Sequence, residues 1–405
     1  MVNFIEGGVT APAGFQAAGV HCGIRKNRSK KDLGLIVSDR PASAAAVYTR
    51  NLVKGAPLTV TAAHLADGTA RAVVCNSGIA NTCAFDGIEK AEGMCRLTAQ
   101  TLGLQEEDVL VASTGVIGPS IDLAPIEAGM PALAAALSAD GSGDAAEAIM
   151  TTDTRKKECA VTFTAGGKTC TLGGIAKGSG MIAPNMATML CFLTTDAAIA
   201  PALLHEALTA VTDDTFNMMT VDGDTSTNDM VIILANGAAG GAMMTEKGAD
   251  YAAFLEALRA LCTNLCRRLA ADGEGATRLM ECRVTGAASR QDARLAARAV
   301  AGSALFKAAL FGADANWGRV LCAIGYSGAA VDVKAVDLDF ASAAGRIAVC
   351  RGGAGIPVDE EKAKAILSEP EIVVDITLHD GTAEAVAWGC DLTYDYVKIN
   401  GDYRS

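Results

Sequence analysis

The chain has few aromatic residues and few histidines for its length. Phe, Trp and Tyr make up 4% of the 405 residues, and only 4 residues are histidine. Half of the residues are hydrophobic and 43 are glycine, so we expect a core of small aliphatic side chains packed at close backbone distances. The length favours two domains or one large layered unit. A catalytic histidine triad has little local support in this sequence.

Positive charge is also scarce. The chain has 34 Lys and Arg against 46 Asp and Glu, a formal net charge of −12, which argues against binding to nucleic acid or to an anionic membrane surface. The longest apolar runs are shorter than the roughly 18 residues that span a bilayer. The first residues, MVNFIEGG, lack the basic start and apolar centre of a signal peptide. We therefore expect a cytoplasmic protein without nucleic-acid or membrane partners.

The thirteen cysteines do not form a metal-binding pattern. Their number is odd, and the sequence has no C-x-x-C pair, which argues against both a disulfide framework and a zinc site. Cys262 and Cys266 are four residues apart on an apolar helix, where we expect them to fill the core. His21 and Cys22 form the only adjacent His–Cys pair and have no further ligands nearby. The sequence therefore predicts no metal site.

The first half of the chain alternates buried strands with helices. RAVVCNSG predicts a buried strand, residues 85–102 predict a helix with Ile88 and Met94 on its apolar face, and VLVASTG predicts a second strand. This order is typical of an α/β fold. In ECAVTFTAGGKTCTLGG, the alternating residues around Gly166 and Gly167 predict a hairpin, which we favour over a phosphate-binding loop.

The last third of the chain is rich in predicted strands. The run from 371 to 399 reads as β-structure, and Asp380-Gly381 lies between two alternating segments, which is typical of a hairpin. A helix begins near Asp359. We expect a smaller C-terminal subdomain at about residues 285–405, next to a layered α/β part.

The segment KGSGMIAPNMATML, residues 177–190, contains a threonine that could act as a catalytic nucleophile. A threonine hydroxyl needs an adjacent base, and an N-terminal threonine can use its own α-amine, with a pKa of about 7.7–8.0. Thr188 would gain this amine if its hydroxyl attacked the carbonyl of Ala187 and the peptide bond broke. From these residues alone, a structural threonine at the start of a strand is the more common interpretation.

The same segment resembles the cleavage site of the ornithine acetyltransferase family, the glutamate N-acetyltransferases of arginine biosynthesis. Further segments resemble that family in its own order, from one end of the chain to the other: GGVTAPAGFQAAGV, ASTGVIG, MTTDT, TVDGDTSTND, DGEGAT, ANWGRVL and DYVKINGDY. Each motif is weak alone, but the ordered set makes coincidence improbable.

The resemblance implies a fold, a processing step and an activity. It implies a layered α-β-β-α sandwich of the self-processing aminopeptidase and ornithine acetyltransferase type. It also implies self-cleavage between Ala187 and Thr188 into an α chain, 1–187, and a β chain, 188–405, which remain together as a heterotetramer of two α and two β chains. The implied reaction moves an acetyl group from N2-acetylornithine to glutamate in two steps, through an acetylated Thr188. No cofactor is implied, although some members also use acetyl-CoA as a donor.

The resemblance also implies roles for individual residues. Thr114 and Gly115 match the pair that stabilises the oxyanion. The substrate-binding positions match Thr151, Lys177, Thr188, Glu274, Asn400 and Ser405. The first of these falls beside Thr152, so the match leaves a choice between two threonines. The chain ends in Ser405 where the family usually has threonine, and serine retains the hydroxyl group.

Two interpretations remain open beside the acetyltransferase. A self-processing aminopeptidase or amidohydrolase of the same fold would use water in place of glutamate. A non-catalytic protein would use Thr188 only as a structural residue. Within the sequence VDGDTSTND, we favour a hydrogen-bonded turn beside the active site over a metal site, because position 233, where a calcium loop starting at Asp222 needs glutamate, is isoleucine.

Overall fold

The computed structural model describes residues 2–183 and 189–401. Within these residues the chain divides into two units, each with its own β-sheet. The first unit comprises residues 2–178, 189–213 and 225–265, and the second comprises residues 179–183, 214–224 and 266–401.

The strands and helices follow one another in a mixed order. The strands are β1 (Asn3–Ile5), β2 (Phe15–Val20), β3 (Leu33–Tyr48), β4 (Thr69–Ile79), β5 (Val109–Val116), β6 (Lys157–Ala165), β7 (Lys168–Lys177), β8 (Leu190–Thr195), β9 (Met230–Ala235), β10 (Leu279–Ala287), β11 (Asp337–Ser342), β12 (Gly345–Arg351), β13 (Ala354–Gly355), β14 (Glu371–Thr377) and β15 (Ala383–Cys390). The α-helices are α1 (Ala56–His64), α2 (Gly87–Leu102), α3 (Leu123–Ala135), α4 (Ser142–Ala148), α5 (Pro201–Asp214), α6 (Ala249–Ala271), α7 (Arg290–Gly302), α8 (Ala304–Phe311), α9 (Trp317–Gly325), α10 (Glu360–Leu367) and α11 (Tyr394–Gly401).

The predicted strand–helix–strand unit is confirmed in β4, α2 and β5. β4 and β5 pair in parallel along their length, with Gly78 opposite Gly115, and α2 makes the crossover between them. Met94 is fully buried on the apolar face of α2, as predicted, whereas Ile88 is 43% exposed. The helix begins at Gly87 rather than at residue 85, which leaves Ile88 in its first, exposed turn.

The sheet of the first unit bends along one long strand. Its order is β1-β6-β7-β8-β9-β3-β4-β5, with β2 also paired to β3. The first part of β3 pairs with β2 and β4, and the register shifts between Val37 and Ala42. Residues 43–48 then pair with β9. A register irregularity of this kind bends a strand, so β3 joins two layers of one sheet.

Alternating side chains of β4 and β5 divide the core of the first unit. Val74 and Val111 pack in a cluster with apolar residues of α2 and α3. Val73 and Leu110, on the opposite face, pack in a cluster that includes Phe192 of β8. The second cluster lies between the two layers of the sheet, and the first lies between one layer and its helices.

Helix α6 covers the other outer face of the first unit. The rings of Phe163 on β6 and Phe254 on α6 are 5.9 Å apart. At Gly174 of β7 a β-carbon would lie 3.1 Å from Leu261 of the same helix. Helices therefore flank two sheet layers, and the predicted α-β-β-α sandwich is confirmed.

The second unit contains a six-stranded sheet in the order β13-β12-β11-β14-β10-β15. Strand β10 lies between β14, to which it is parallel, and the edge strand β15, to which it is antiparallel. α7 buries a face of small residues, among them Ala297 and Val300. The rings of Phe306 and Phe340 are stacked with their centroids 6.1 Å apart.

The hairpin predicted at Asp380-Gly381 is wrong. β14 and β15 do not pair with each other, because β10 lies between them. The backbone N–H groups of Asp380 and Gly381 instead donate to the carbonyl of Gly286, at 2.7 and 2.9 Å. The loop thus passes over the end of β10. An alternating pattern identifies a strand but not its partner.

The prediction of β-structure for the last residues of the run from 371 to 399 is also wrong. Residues 394–401 form the helix α11 rather than a strand. The prediction at Asp359 is confirmed, since this residue caps α10 with its side chain. No helix in the described part of the chain is long and apolar enough to cross a membrane.

Candidate active site

Thr114 and Gly115 lie at the carboxyl end of β5, beside the parallel strand β4. Gly115 has φ 132°, and a β-carbon there would lie 2.3 Å from the carbonyl carbon of Gly78. Both facts restrict this position to glycine. The backbone of Gly115 therefore comes unusually close to its neighbour, and Thr114 is held beside it with 9% of its surface exposed.

Lys177 contacts Thr114 directly. It is the last residue of β7, its side chain is buried, and its Nζ donates a hydrogen bond to Thr114 Oγ1 at 3.4 Å. An ammonium group has only donors, so the hydroxyl accepts this bond and keeps its own hydrogen for another oxygen. The Thr114 hydroxyl can therefore donate to a developing negative charge.

Asp153 links the predicted residues Thr151 and Lys177. Its carboxylate accepts hydrogen bonds from Lys157 Nζ at 2.7 Å, from the N–H of Gly178 at 2.6 Å and from the N–H of Thr151 at 3.0 Å. One buried carboxylate thus fixes the backbone at Thr151 and at Gly178, the residue that follows Lys177. Sequence reasoning missed this residue, although it lies inside the quoted segment MTTDT.

The charges around Lys177 affect its pKa and that of Asp153. Burial lowers the pKa of the Lys177 ammonium, and the carboxylate of Asp153 acts in the opposite direction. For Asp153, burial alone would raise the pKa, but the charges of Lys177 and Lys157 outweigh it and hold the pKa below its ordinary value. Asp153 is consequently ionised at neutral pH and compensates buried positive charge.

Asp229 is a second buried carboxyl group with the opposite behaviour. Burial raises its pKa well above the ordinary value, against a hydrogen bond from Ser226 and the charge of Lys177. Among the described residues, its Oδ2 atom has no hydrogen-bond partner. The two carboxyl groups thus titrate apart, and Asp153 is the stronger acid.

Glu274 and Asn400 meet in the second unit. Asn400 Nδ2, on α11, donates to Glu274 Oε2 at 2.7 Å, and the N–H of Glu274 donates to the carbonyl of Ser179 at 2.8 Å. A β-carbon at Gly180 would lie 2.3 Å from the same carboxylate oxygen, so the glycine makes room for it. The pairing of Glu274 and Asn400 agrees with their predicted common role, which stays a prediction.

Asp222 holds the residues that follow Gly180. Its carboxylate accepts hydrogen bonds from the N–H groups of Met181 and Ile182 at 2.6 and 2.8 Å, and from the hydroxyl of Tyr396 at 3.3 Å. The N–H of Asp224 also donates to Asp222 Oδ1 at 3.2 Å, so the start of the VDGDTSTND segment is a hydrogen-bonded turn. In the described part of the chain, no three His, Cys, Asp or Glu side chains are grouped in a way that could hold a metal ion.

The other site predictions stay predictions. Ala187, Thr188 and Ser405 lie outside the described residues, so the cleavage site, the nucleophile and the terminal hydroxyl stay predictions. Thr151 and Thr152 are both half-buried, and the choice between them also stays a prediction. In sequence, Thr188 precedes β8 by two residues.

The ArgJ family matches residues 16–405. This chain belongs to the ArgJ family. The match covers nearly all of the chain and confirms the family indicated by the ordered motifs.

Individual ArgJ proteins are similar to this chain, two of them over nearly its full length. The chain is 55% identical to the arginine biosynthesis bifunctional protein ArgJ of Symbiobacterium thermophilum, over 406 residues and 100% of both chains. It is 48% identical to the ArgJ protein of Bacillus subtilis, over 99% of this chain and 97% of that protein. A crystal structure of ArgJ from Bacillus halodurans is 47% identical, with a TM-score of 0.51, and the match covers 53% of this chain and 99% of that one.

Proposed function

We propose that the chain transfers an acetyl group from N2-acetyl-L-ornithine to L-glutamate, which yields L-ornithine and N-acetyl-L-glutamate. The observation that carries this proposal is membership of the ArgJ family, whose relatives are named bifunctional proteins of arginine biosynthesis. The same membership favours an acetyltransferase over the self-processing aminopeptidase that the sequence left open.

The first step of the proposal is self-cleavage between Ala187 and Thr188. The hydroxyl of Thr188 attacks the carbonyl carbon of Ala187, the C–N bond breaks, and the released amine takes the proton. Water then hydrolyses the ester, which leaves a carboxylate on Ala187 and a free hydroxyl and amine on Thr188. Membership of the ArgJ family supports this step, because the segment of residues 177–190 resembles the cleavage site of the ornithine acetyltransferases.

Acetyl transfer follows the same chemistry twice. The Thr188 hydroxyl attacks the acetyl carbonyl of acetylornithine while the α-amine accepts its proton. The amine then donates this proton to the leaving nitrogen of ornithine, and the acetyl group stays on the threonine as an ester. Glutamate attacks the ester with its own α-amine and leaves acetylated. An α-amine with a pKa near neutral can perform both transfers.

Thr114 and Gly115 supply the proposed oxyanion donors. The hydroxyl of Thr114 retains its hydrogen because Lys177 donates to its oxygen, and glycine at position 115 permits a close backbone approach. One such donor contributes about 2.7–4 kcal/mol to lowering the barrier in enzymes where it has been measured. The proposed donors come from adjacent residues at the end of one buried strand.

The proposed substrate contacts divide by charge. Lys177 suits the α-carboxylate that both amino acids share, and the Glu274 carboxylate suits the side-chain ammonium of acetylornithine. We propose the full set of substrate-binding residues as Thr151, Lys177, Thr188, Glu274, Asn400 and Ser405.

Further elements of the proposal concern donors and assembly. The name "bifunctional" of the relatives supports acetyl-CoA as a second acetyl donor to glutamate. We further propose a heterotetramer of two α and two β fragments, a location in the cytoplasm and a mechanism without a resident cofactor.

Steady-state kinetics tests the proposed function. Ornithine release from acetylornithine should depend on glutamate, and double-reciprocal plots at several glutamate concentrations should be parallel lines, because the acetyl group leaves one substrate before the other binds. The Thr188→Ala protein should be inactive and uncut. Release of acetate at the same rate without glutamate would identify a hydrolase instead.

A further inference from the structure

The amide of Asn228 makes four hydrogen bonds in the first unit. Its Nδ2 donates to the carbonyls of Ala80 at 2.5 Å and Ser113 at 3.0 Å. Its Oδ1 accepts from the hydroxyls of Thr82 at 2.6 Å and Thr227 at 2.5 Å. The side chain is 5% exposed. Every donor and acceptor position of this buried amide is therefore used.

Those bonds act on the peptide that precedes Thr114. The carbonyl of Ser113 belongs to the peptide group whose nitrogen is that of Thr114, so the amide fixes one side of this residue. The chain on the C-terminal side of Thr114 is fixed by Ala80, whose N–H donates to the carbonyl of Val116 at 2.9 Å. Ala80 is also the residue whose carbonyl accepts from Asn228. Asn228 thus connects the loop after β4 with the end of β5.

The surroundings of Asn228 leave little freedom for the amide. A β-carbon at Gly55 would lie 2.6 Å from Asn228 Nδ2 and 2.8 Å from Thr82 Oγ1. Aspartate has the same shape as asparagine but no donor when ionised, and it would place a negative charge against two carbonyl oxygens. Only an amide satisfies two carbonyls and two hydroxyls at once.

We propose that Asn228 is a positioning residue for acetyl transfer, which holds the end of β5 so that the Thr114 hydroxyl and the Gly115 N–H stay directed at the oxyanion. This inference rests on the proposed function. Oxyanion donors act only when they are already in place, and displacement by about 1 Å can lower a rate by about 100-fold. The residue touches no reacting atom in this account and acts through the backbone of Ser113.

The test compares two asparagines of the same unit. Asn51 Nδ2 donates to the carbonyl of Thr225 at 2.9 Å, so Asn51→Asp also removes an amide donor from a backbone carbonyl, but from one that is not part of β5. We expect Asn228→Asp to lower kcat about 100-fold per cleaved molecule, with KM for acetylornithine within about twofold of wild type. Asn51→Asp should keep kcat within about twofold. Wild-type kcat in Asn228→Asp, or a raised KM with unchanged kcat, would overturn the inference.

A second pair of variants covers the case in which Asn228→Asp does not fold or cleave. Thr82→Val removes one donor to Asn228 Oδ1 without a change in shape, and Thr82→Ser retains it. We expect Thr82→Val to lower kcat about tenfold and Thr82→Ser to restore it. Equal, wild-type kcat in both variants would overturn the inference.

Hydrogen exchange separates this inference from the proposed function. Amide exchange of peptides that cover residues 109–118 should become at least tenfold faster in Asn228→Asp or, if that variant does not fold, in Thr82→Val. If the wild-type protein transfers no acetyl group, the proposed function fails, and the exchange still decides whether Asn228 fixes β5. Unchanged exchange would overturn that claim.

Discussion

The ammonium of Lys177 donates a hydrogen bond to the hydroxyl of Thr114, with Nζ and Oγ1 3.4 Å apart. This contact joins a residue of β7 to a residue of β5. The lysine occupies the oxygen of the threonine, and the hydroxyl hydrogen remains for an oxyanion. A buried cation next to an oxyanion donor also favours negative charge at the same place.

The Thr114 hydroxyl can be tested by an isosteric change. Thr114→Val retains the shape of the side chain and loses the donor, so we expect kcat to fall by about 10² to 10³, with KM changed much less. Thr114→Ser retains the hydroxyl and should keep most of the activity. Steady-state rates on cleaved protein measure both. A Thr114→Val enzyme with wild-type kcat would remove this residue from the oxyanion site.

The Asp153 carboxylate should stabilise the fold through the lysines that it faces. Asp153→Asn leaves Lys157 and Lys177 buried without this countercharge, and we expect a loss of about 3–5 kcal/mol in the free energy of unfolding at pH 7. Denaturant titration measures this loss. Asp140→Asn, at an exposed position, serves as the matched control and should change stability by no more than about 0.5 kcal/mol.

The same carboxylate predicts a pH dependence. The pKa of Asp153 is depressed in the folded protein, so its contribution is present above the unfolded value of about 3.9 and is lost as the pH falls toward the folded value. Between pH 5 and pH 3 the wild-type protein should therefore lose more stability than Asp153→Asn. Equal losses in the two proteins would contradict the assignment.

Two variants can separate the effect on stability of the close backbone approach at Gly115 from the effect of its positive φ. Gly115 and Gly118 both have a positive φ, of 132° and 111°, so alanine is strained at either position. Only at Gly115 does a β-carbon meet another backbone, 2.3 Å from Gly78, whereas nothing lies within 4 Å at Gly118. Gly115→Ala should lower the thermal midpoint several degrees more than Gly118→Ala. Equal shifts would mean that the contact with Gly78 relaxes freely.

The Glu274 carboxylate predicts a difference between the two substrates. Glu274→Gln retains an oxygen that accepts the hydrogen bond from Asn400 but loses the negative charge. KM for acetylornithine, which has a side-chain ammonium, should rise about tenfold, and KM for glutamate should not rise. Glu361→Gln, at an exposed position on α10, is the control. Unchanged KM values for both substrates in Glu274→Gln would exclude the charge from recognition.

Local sequence patterns predicted much of the first unit. The two glycines of the β6–β7 turn, Gly166 and Gly167, have φ values of 57° and 70°, as a two-residue hairpin turn requires. The strand–helix–strand order of β4, α2 and β5 follows from the change between apolar runs and helical spacing. These features depend on neighbouring residues alone, which explains why the sequence is informative about them.

Strand order in the second unit depends on distant residues. Nothing in the alternating pattern around Asp380-Gly381 indicates that β10, almost a hundred residues earlier, lies between the two flanking strands. Similarly, Tyr394 and Val397 suit a strand by propensity, yet they belong to α11. Tertiary context decides such cases, and a single sequence does not contain it explicitly.

The candidate site was predicted by motif resemblance rather than by residue chemistry. Thr114 and Lys177 proved to be in contact, and so did Glu274 and Asn400. The residues that hold them, Asp153 among them, were not predicted, because a buried carboxylate that binds backbone N–H groups has no local sequence signature. Its contacts join segments that lie 25 residues apart.

The central claim is that Thr188 becomes an N-terminal residue and carries the acetyl group. Intact-mass analysis before and after incubation with acetylornithine tests it most directly. We expect two fragments, of residues 1–187 and 188–405, with one acetyl group added only to the second, and a single unmodified chain for Thr188→Ala. A fully active protein with an uncut backbone and no acetylated fragment would contradict the account.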